Sequence, residues 1–114
     1  MTTSPEFEIE MKRKNYTRAA FVAEESGLGR DDIDRAQELA LKQAIGEWFN
    51  FRGARSLAEQ WGVTPDRVRR LCDEIIDSFK QREEKEGRKI LVFDIDRMDH
   101  TNVIVLIGHF RDTL

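Results

Sequence analysis

Arginine side chains are concentrated in one stretch of this 114-residue chain, and their chemistry is the binding of anions and base edges. Residues 52–70 carry five arginines against Glu59 and Asp66, a local charge of +3 in a protein whose net charge is −3. A guanidinium group presents a planar fork of N–H donors, which clamps a phosphate or binds guanine O6 and N7 together. The five are Arg52, Arg55, Arg67, Arg69 and Arg70.

A second group of reactive side chains lies near the C-terminus. Phe93-Asp94-Ile95-Asp96 resembles the opening motif of haloacid-dehalogenase-type phosphatases, in which two aspartates act on Mg²⁺. Arg97-Met98 stands where that family has a glycine and a small residue, and only 18 residues follow Asp96. The alternate spacing of the aspartates is explained by a strand. We therefore reject the phosphatase interpretation.

The same aspartates do not predict a metal site either. Asp94, Asp96, Asp99 and His100 offer carboxylates and one imidazole, without a pattern of residues that would orient them as ligands. A solvated hairpin end explains them. Because the chain also shows no nucleophile–base pair and no glycine-rich phosphate loop, we predict no enzyme activity, no metal and no cofactor.

The arginines surround a pattern that predicts two short helices joined by a tight turn, from Ala54 to Asp73. Gly62 is placed where the first helix ends and a positive φ is needed. Thr64 is a good N-cap, and Pro65 suits the first helical position. Ala58 leaves room for the second helix. Apolar side chains fill the remaining inward positions: Leu57, Trp61, Val63, Val68 and Leu71.

This stretch resembles a helix-turn-helix, and Val63-Thr64-x-Asp66-Arg67-Val68-Arg69-Arg70-Leu71 is similar to the recognition helix of sigma-factor region 4 and related regulators. The resemblance covers about residues 42–80. It implies that the second helix enters the DNA major groove. The DNA-binding residues we predict are Arg55, Thr64, Arg67, Arg69 and Arg70. Asp66 and Asp73 would be repelled by phosphate unless they pair with an arginine or accept from cytosine.

The periodicity of the remaining chain predicts the elements around this motif. Alternating apolar residues predict a short strand at 7–12. Helical spacing predicts helices at 15–25 and 33–51, the latter capped by Asp31 or Asp32 and ended by Arg52-Gly53, and extends the second motif helix through Phe79 toward Gly87. β-Branched runs predict strands Ile90–Ile95 and Val103–Ile107, joined by a turn at 97–102.

Together these elements predict one α+β domain over residues 1–114, with a helix-turn-helix core at 54–73 and a C-terminal β-hairpin at 89–110, in winged-helix-like order. The function we expect is that of a small bacterial or phage-type transcriptional regulator binding double-stranded DNA. The alternative is a protein–protein adaptor that keeps the motif as a scaffold, as the acidic total charge allows. The basic stretch Lys12–Arg18 is either an arm toward the DNA backbone or a solvated linker.

Two further expectations concern the environment of the protein. No apolar run approaches the length of a membrane span, and one cysteine, Cys72, excludes an intramolecular disulfide, so we predict a cytoplasmic protein. Cys72 lies on the inward stripe and should behave as a small buried hydrophobe. The five apolar residues Val103–Ile107 would leave an apolar strand in water, so we also predict a homodimer through the C-terminal hairpin. The alternative is a monomer in which the strand at 7–11 and the helix at 33–51 cover both faces of the hairpin.

Overall fold

A computed structural model describes residues 4–114 of the chain. Its helices and strands follow one another along the chain in this order: α1 (Pro5–Lys12), α2 (Tyr16–Glu25), α3 (Arg30–Gly46), α4 (Phe51–Trp61), α5 (Pro65–Glu86), β1 (Leu91–Asp94), β2 (Asp99–Asn102) and α6 (Val103–Asp112). The described residues are thus mainly helical with one small antiparallel sheet, which agrees with the predicted α+β class. They divide into two compact units between Trp61 and Gly62. No helix within residues 4–114 is long and apolar enough to span a membrane.

The first unit contains α1 to α4, with α2 packed against both α1 and α3 and with α4 packed against α3. Small side chains allow α2 and α3 to approach closely, since alanines occupy most of their buried positions. Phe21 and Trp61 contribute an aromatic pair at 5.8 Å between ring centroids. One cluster of buried side chains forms the core of this unit: Phe7, Ala19, Ala20, Val22, Ala23, Leu28 and Ala36.

The strand predicted at residues 7–12 is wrong, because this segment is helix α1. Ser4 caps it by accepting a hydrogen bond from the Phe7 N–H at 3.3 Å, and Pro5 follows at the first helical position. Phe7 and Glu10, three residues apart, are both buried, whereas Ile9 is 48% exposed. The start signal and the helical spacing thus outweigh the short alternation of apolar residues.

The long helix predicted at 33–51 is also wrong at both ends. Gly29, not Asp31 or Asp32, is the N-cap of α3, and α3 ends at Gly46. Phe49 then adopts a left-handed backbone with φ of 52°. The Asn50 side chain accepts from the Gly53 N–H at 3.0 Å, which starts α4 at Phe51. Arg52-Gly53 therefore lies inside a helix.

The second unit contains α5, the hairpin and α6, and α6 packs against both α5 and β2. α5 ends at Glu86, and Gly87, with a φ of 70°, is its C-cap. The predicted continuation of this helix past Phe79 toward Gly87 is confirmed. The side chains that face inward from α5 are Val68, Leu71, Cys72, Ile75, Phe79 and Glu83. The burial of Cys72 confirms its prediction as a buried thiol.

The hairpin is shorter than predicted, and its second strand lies elsewhere. β1 pairs with β2 from Leu91↔Asn102 to Asp94↔Asp99, with the turn at residues 95–98 rather than 97–102. Val103–Ile107 belongs to helix α6, not to a strand. Asn102 caps this helix by accepting from the N–H groups of Ile104 at 3.0 Å and Val105 at 3.3 Å. Val103, Ile107 and Phe110 are buried at spacings of four and three residues, as on one helix face.

Candidate nucleic-acid interface

The residues that precede α5 have the backbone conformations predicted for the motif turn. Gly62 has a φ of 68°, which an L side chain adopts only with strain. Thr64 is extended, and its hydroxyl accepts from the Arg67 N–H at 3.3 Å. Pro65 occupies the first helical position, where no donor is needed. These three predictions are confirmed. α5 therefore starts at Pro65, and the residues of its N-terminus are exposed.

The buried face of α5 determines where its arginines point. Val68 and Leu71 face the interior of the second unit. Arg70 follows Val68 by two positions, about 200° around the helix, and is exposed. Arg67 is half-buried. Of the predicted contact residues, Arg70 and Thr64 therefore lie on the accessible surface of the first turns of α5.

Arg69 is engaged inside the second unit. One of its terminal nitrogens, Nη1, donates to the carbonyl oxygen of Leu114 at 2.8 Å, and the other forms an ion pair with the Asp66 carboxylate. Its side chain is only 31% exposed. Arg69 therefore ties Leu114 to α5, which sequence reasoning could not foresee because the two residues are 45 positions apart. It also neutralises Asp66, and pairing with an arginine was one of the two possibilities expected for that aspartate.

The second acidic residue near the arginines is neutralised from α6. Arg111 donates from Nε to Asp73 Oδ1 at 2.6 Å and from Nη2 to Asp73 Oδ2 at 3.2 Å. This two-point hydrogen bond raises the pKa of Arg111 above its ordinary value. Sequence reasoning missed Arg111, since nothing in the sequence signals a contact across 38 residues. Both aspartates that would repel a phosphate near the start of α5, Asp66 and Asp73, are therefore paired with arginines of the same chain.

Arg55 lies on the exposed surface of α4 and belongs to the first unit, whereas the other four predicted residues belong to the second. The basic stretch 12–18 runs from the last residue of α1 through the connection at 13–15 into the first turn of α2. Arg18 there contacts the carboxylates of Glu6 at 3.4 Å and Glu10 at 3.7 Å. The Lys14 carbonyl accepts from the Gln43 side chain at 2.9 Å. This stretch is therefore fastened to the helices of the first unit.

The side chains of two hairpin aspartates accept hydrogen bonds from backbone N–H groups in and beside the turn. Asp94 Oδ1 accepts from the Asp96 N–H at 3.0 Å, and Asp99 Oδ1 accepts from the His100 N–H at 2.8 Å. The His100 ring packs edge-on against Phe93, with 5.4 Å between centroids. Within residues 4–114, no group of three or more histidine, cysteine, aspartate or glutamate side chains is arranged to hold a metal ion.

No protein-family model, no curated protein and no solved structure matches this chain.

Proposed function

We propose that this protein binds duplex DNA through the first turns of α5 and acts as a small transcriptional regulator. The observation that carries the proposal is the start of α5, where Gly62 has a positive φ and Thr64 caps a helix with an exposed N-terminus. This start of α5 agrees with the turn residue and the N-cap that the resemblance to helix-turn-helix regulators predicts. The expected recognition helix is the N-terminal part of α5.

The chemistry at the start of α5 favours an anionic partner. The N–H groups of a first helical turn and the helix dipole attract negative charge. Arg70 adds an exposed guanidinium, whose fork fits a phosphate or a guanine edge. Asp66 and Asp73 are paired with Arg69 and Arg111, which reduces their repulsion of phosphate.

The hairpin follows α5 in the chain, as the wing follows the recognition helix in winged-helix proteins. Its tip carries Asp94, Asp96 and Asp99 against one arginine, Arg97. Three carboxylates would be repelled by phosphate, so the proposed interface is confined to α5 and excludes the hairpin tip.

A titration against duplex DNA at about 50 mM and about 200 mM salt tests the proposal, because phosphate contacts release counterions and make affinity fall steeply with salt. We expect binding at low salt. Arg70→Ala should weaken it by about 1–3 kcal/mol and leave the fold intact. Lys80→Ala is the matched control: it removes one exposed positive charge from the same helix, about 15 Å farther along.

Absence of binding at low salt contradicts the proposal. Equal affinities of wild type and Arg70→Ala, or equal losses in Arg70→Ala and Lys80→Ala, contradict the assignment to the first turns of α5.

One observation favours the second candidate, a protein–protein adaptor. The exposed side of α5 beyond Arg70 carries Glu74 and Asp77, and the chain as a whole has a net charge of −3. Such a surface fits a basic protein partner better than it fits DNA. Absence of DNA binding at low salt would favour this candidate.

A further inference from the structure

The hairpin exposes a concentration of apolar side chains. The structure has seven exposed large hydrophobic residues within 4–114, and four of them lie in this short segment: Leu91 (57% exposed), Phe93 (51%), Ile95 (75%) and Met98 (73%). Single exposed hydrophobics are ordinary, but grouped ones mark an interaction surface. Leu91 and Phe93 share one face of β1, since alternate residues of a strand point the same way.

The backbone of β1 is unpaired on its outer side. The Val103 N–H donates to the Ile90 carbonyl at 3.0 Å, so this carbonyl points toward the second strand, as in a hydrogen-bonded pair, while the Ile90 N–H donates to Glu83. Such pairs recur at every second residue of an antiparallel ladder, which makes Val92–Thr101 and Asp94–Asp99 the next ones. The N–H and C=O groups of Leu91 and Phe93 therefore point away from β2. The sheet of residues 4–114 has two strands, so no third strand covers this edge.

The charges at the two ends of β1 indicate which strand would pair with its outer edge. The base of the hairpin carries Arg88 and Lys89, which lie 3.8 Å from the carboxylates of Glu86 and Glu83 but keep side chains that are 80% and 78% exposed. The tip carries three aspartates against Arg97. In an antiparallel pair of identical strands, the base of one lies beside the tip of the other. A second copy of this chain therefore offers the complementary charges, the same apolar face and the same unpaired backbone groups.

We propose that β1 pairs antiparallel with β1 of a second copy, which joins two hairpins into a four-stranded sheet. Leu91 lies opposite the partner's Phe93, and Val92 lies on the twofold axis opposite the partner's Val92. This register uses the outward N–H and C=O groups of both Leu91 and Phe93, and it brings Arg88 next to the partner's Asp96. The proposal does not depend on DNA binding.

Sedimentation of the purified full chain up to about 100 µM tests the association, since an interface this small gives a weak dimer. We expect a dimer whose fraction grows with concentration. Phe93→Lys should remain monomeric, because it places a charge on the shared apolar face. Val105→Lys is the matched control, since Val105 is an exposed apolar residue (46%) of α6 outside the hairpin. A monomeric wild type, or an equal effect of the two lysine variants, overturns the proposal.

Disulfide cross-linking under a mild oxidant tests the register without relying on Phe93→Lys to fold. Val92→Cys should form a covalent dimer rapidly, because residues opposite each other in a non-hydrogen-bonded pair have Cα atoms about 4.5 Å apart. Leu91→Cys should react more slowly, since it lies opposite the partner's Phe93. The native Cys72 is buried and does not compete. Cross-linking at residue 92 that is no faster than at residue 91 overturns the register.

Discussion

Gly62 shows how one residue supports the turn before α5. Its φ is 68°, and no atom lies within 4 Å of the position that a Cβ would take. The space around Gly62 is therefore open, and the requirement for glycine is purely conformational. Gly108 has equally open space, but it lies in the middle of α6, where φ is not positive. The two positions form a matched pair for the same substitution.

We expect Gly62→Ala to lower the free energy of unfolding by about 1 kcal/mol, because alanine in the left-handed region is strained. Gly108→Ala should raise it by about 0.5–1 kcal/mol, because alanine stabilises a helix interior relative to glycine. Urea unfolding of both variants beside the wild type measures these changes. If Gly62→Ala raises the midpoint as Gly108→Ala does, the backbone at Gly62 is not left-handed.

Cys72 permits a second prediction at the residue scale. Burial, and to a lesser degree the Asp73 carboxylate, raises the pKa of Cys72 to about 11. The thiolate is the reactive form, so at pH 8 the folded protein should react with a disulfide reagent far more slowly than the protein in denaturant. The rate of colour release from an aromatic disulfide measures this difference. Equal rates would mean that Cys72 is accessible in the folded protein.

At the scale of elements, Glu83 of α5 anchors the hairpin. One of its carboxylate oxygens accepts from the Ile90 N–H and from the Asn102 side chain, each at 2.9 Å. Lys89 lies 3.8 Å from the other oxygen. The hydrogen bond from Ile90 is the main reason that the pKa of Glu83 lies below its ordinary value of 4.5. A carboxylate with a lowered folded-state pKa stabilises the protein above the unfolded-state pKa and loses that contribution as pH falls through the folded-state value.

Glu83→Gln should therefore lower the melting temperature at pH 7, and the gap to the wild type should close as the pH falls below 4.5. Glutamine keeps the size of the side chain but removes its charge, as protonation does. Glu84→Gln is the control. Glu84 is the next residue and is exposed, so this substitution should change the melting temperature little at any pH. A gap for Glu83→Gln that stays constant down to pH 3 would show that its charge does not stabilise the hairpin.

At the scale of the whole molecule, both proposed activities use the second unit. The start of α5 and the outer edge of β1 are separate surfaces of residues 62–114, one suited to an anion and the other to a second copy. A twofold pair of chains would present two copies of α5, which is the arrangement that paired DNA half-sites require. The net charge of −3 opposes nonspecific DNA association, so affinity has to come from this local surface.

The sequence by itself determined the features that depend on neighbouring residues. Thr64-Pro65 begins α5, Gly62 and Gly87 adopt positive φ on either side of it, and its apolar stripe is buried. Each signal acts within about one helical turn, so the residue types alone specify the result. The α+β class rests on Ile90–Ile95, the one predicted strand that contains a strand in the structure.

Only the tertiary structure decided the features that depend on distant residues. The apolar run Val103–Ile107 fits a strand or a helix, and its packing on α5 and β2 decides for a helix. The Asn102 cap that begins this helix is a local signal. The pairing of Asp73 with Arg111 joins residues 38 positions apart, which no local pattern encodes. The exposure of Leu91 and Phe93 likewise depends on what packs beside β1. The residue type alone does not tell whether an apolar side chain is buried or exposed to water.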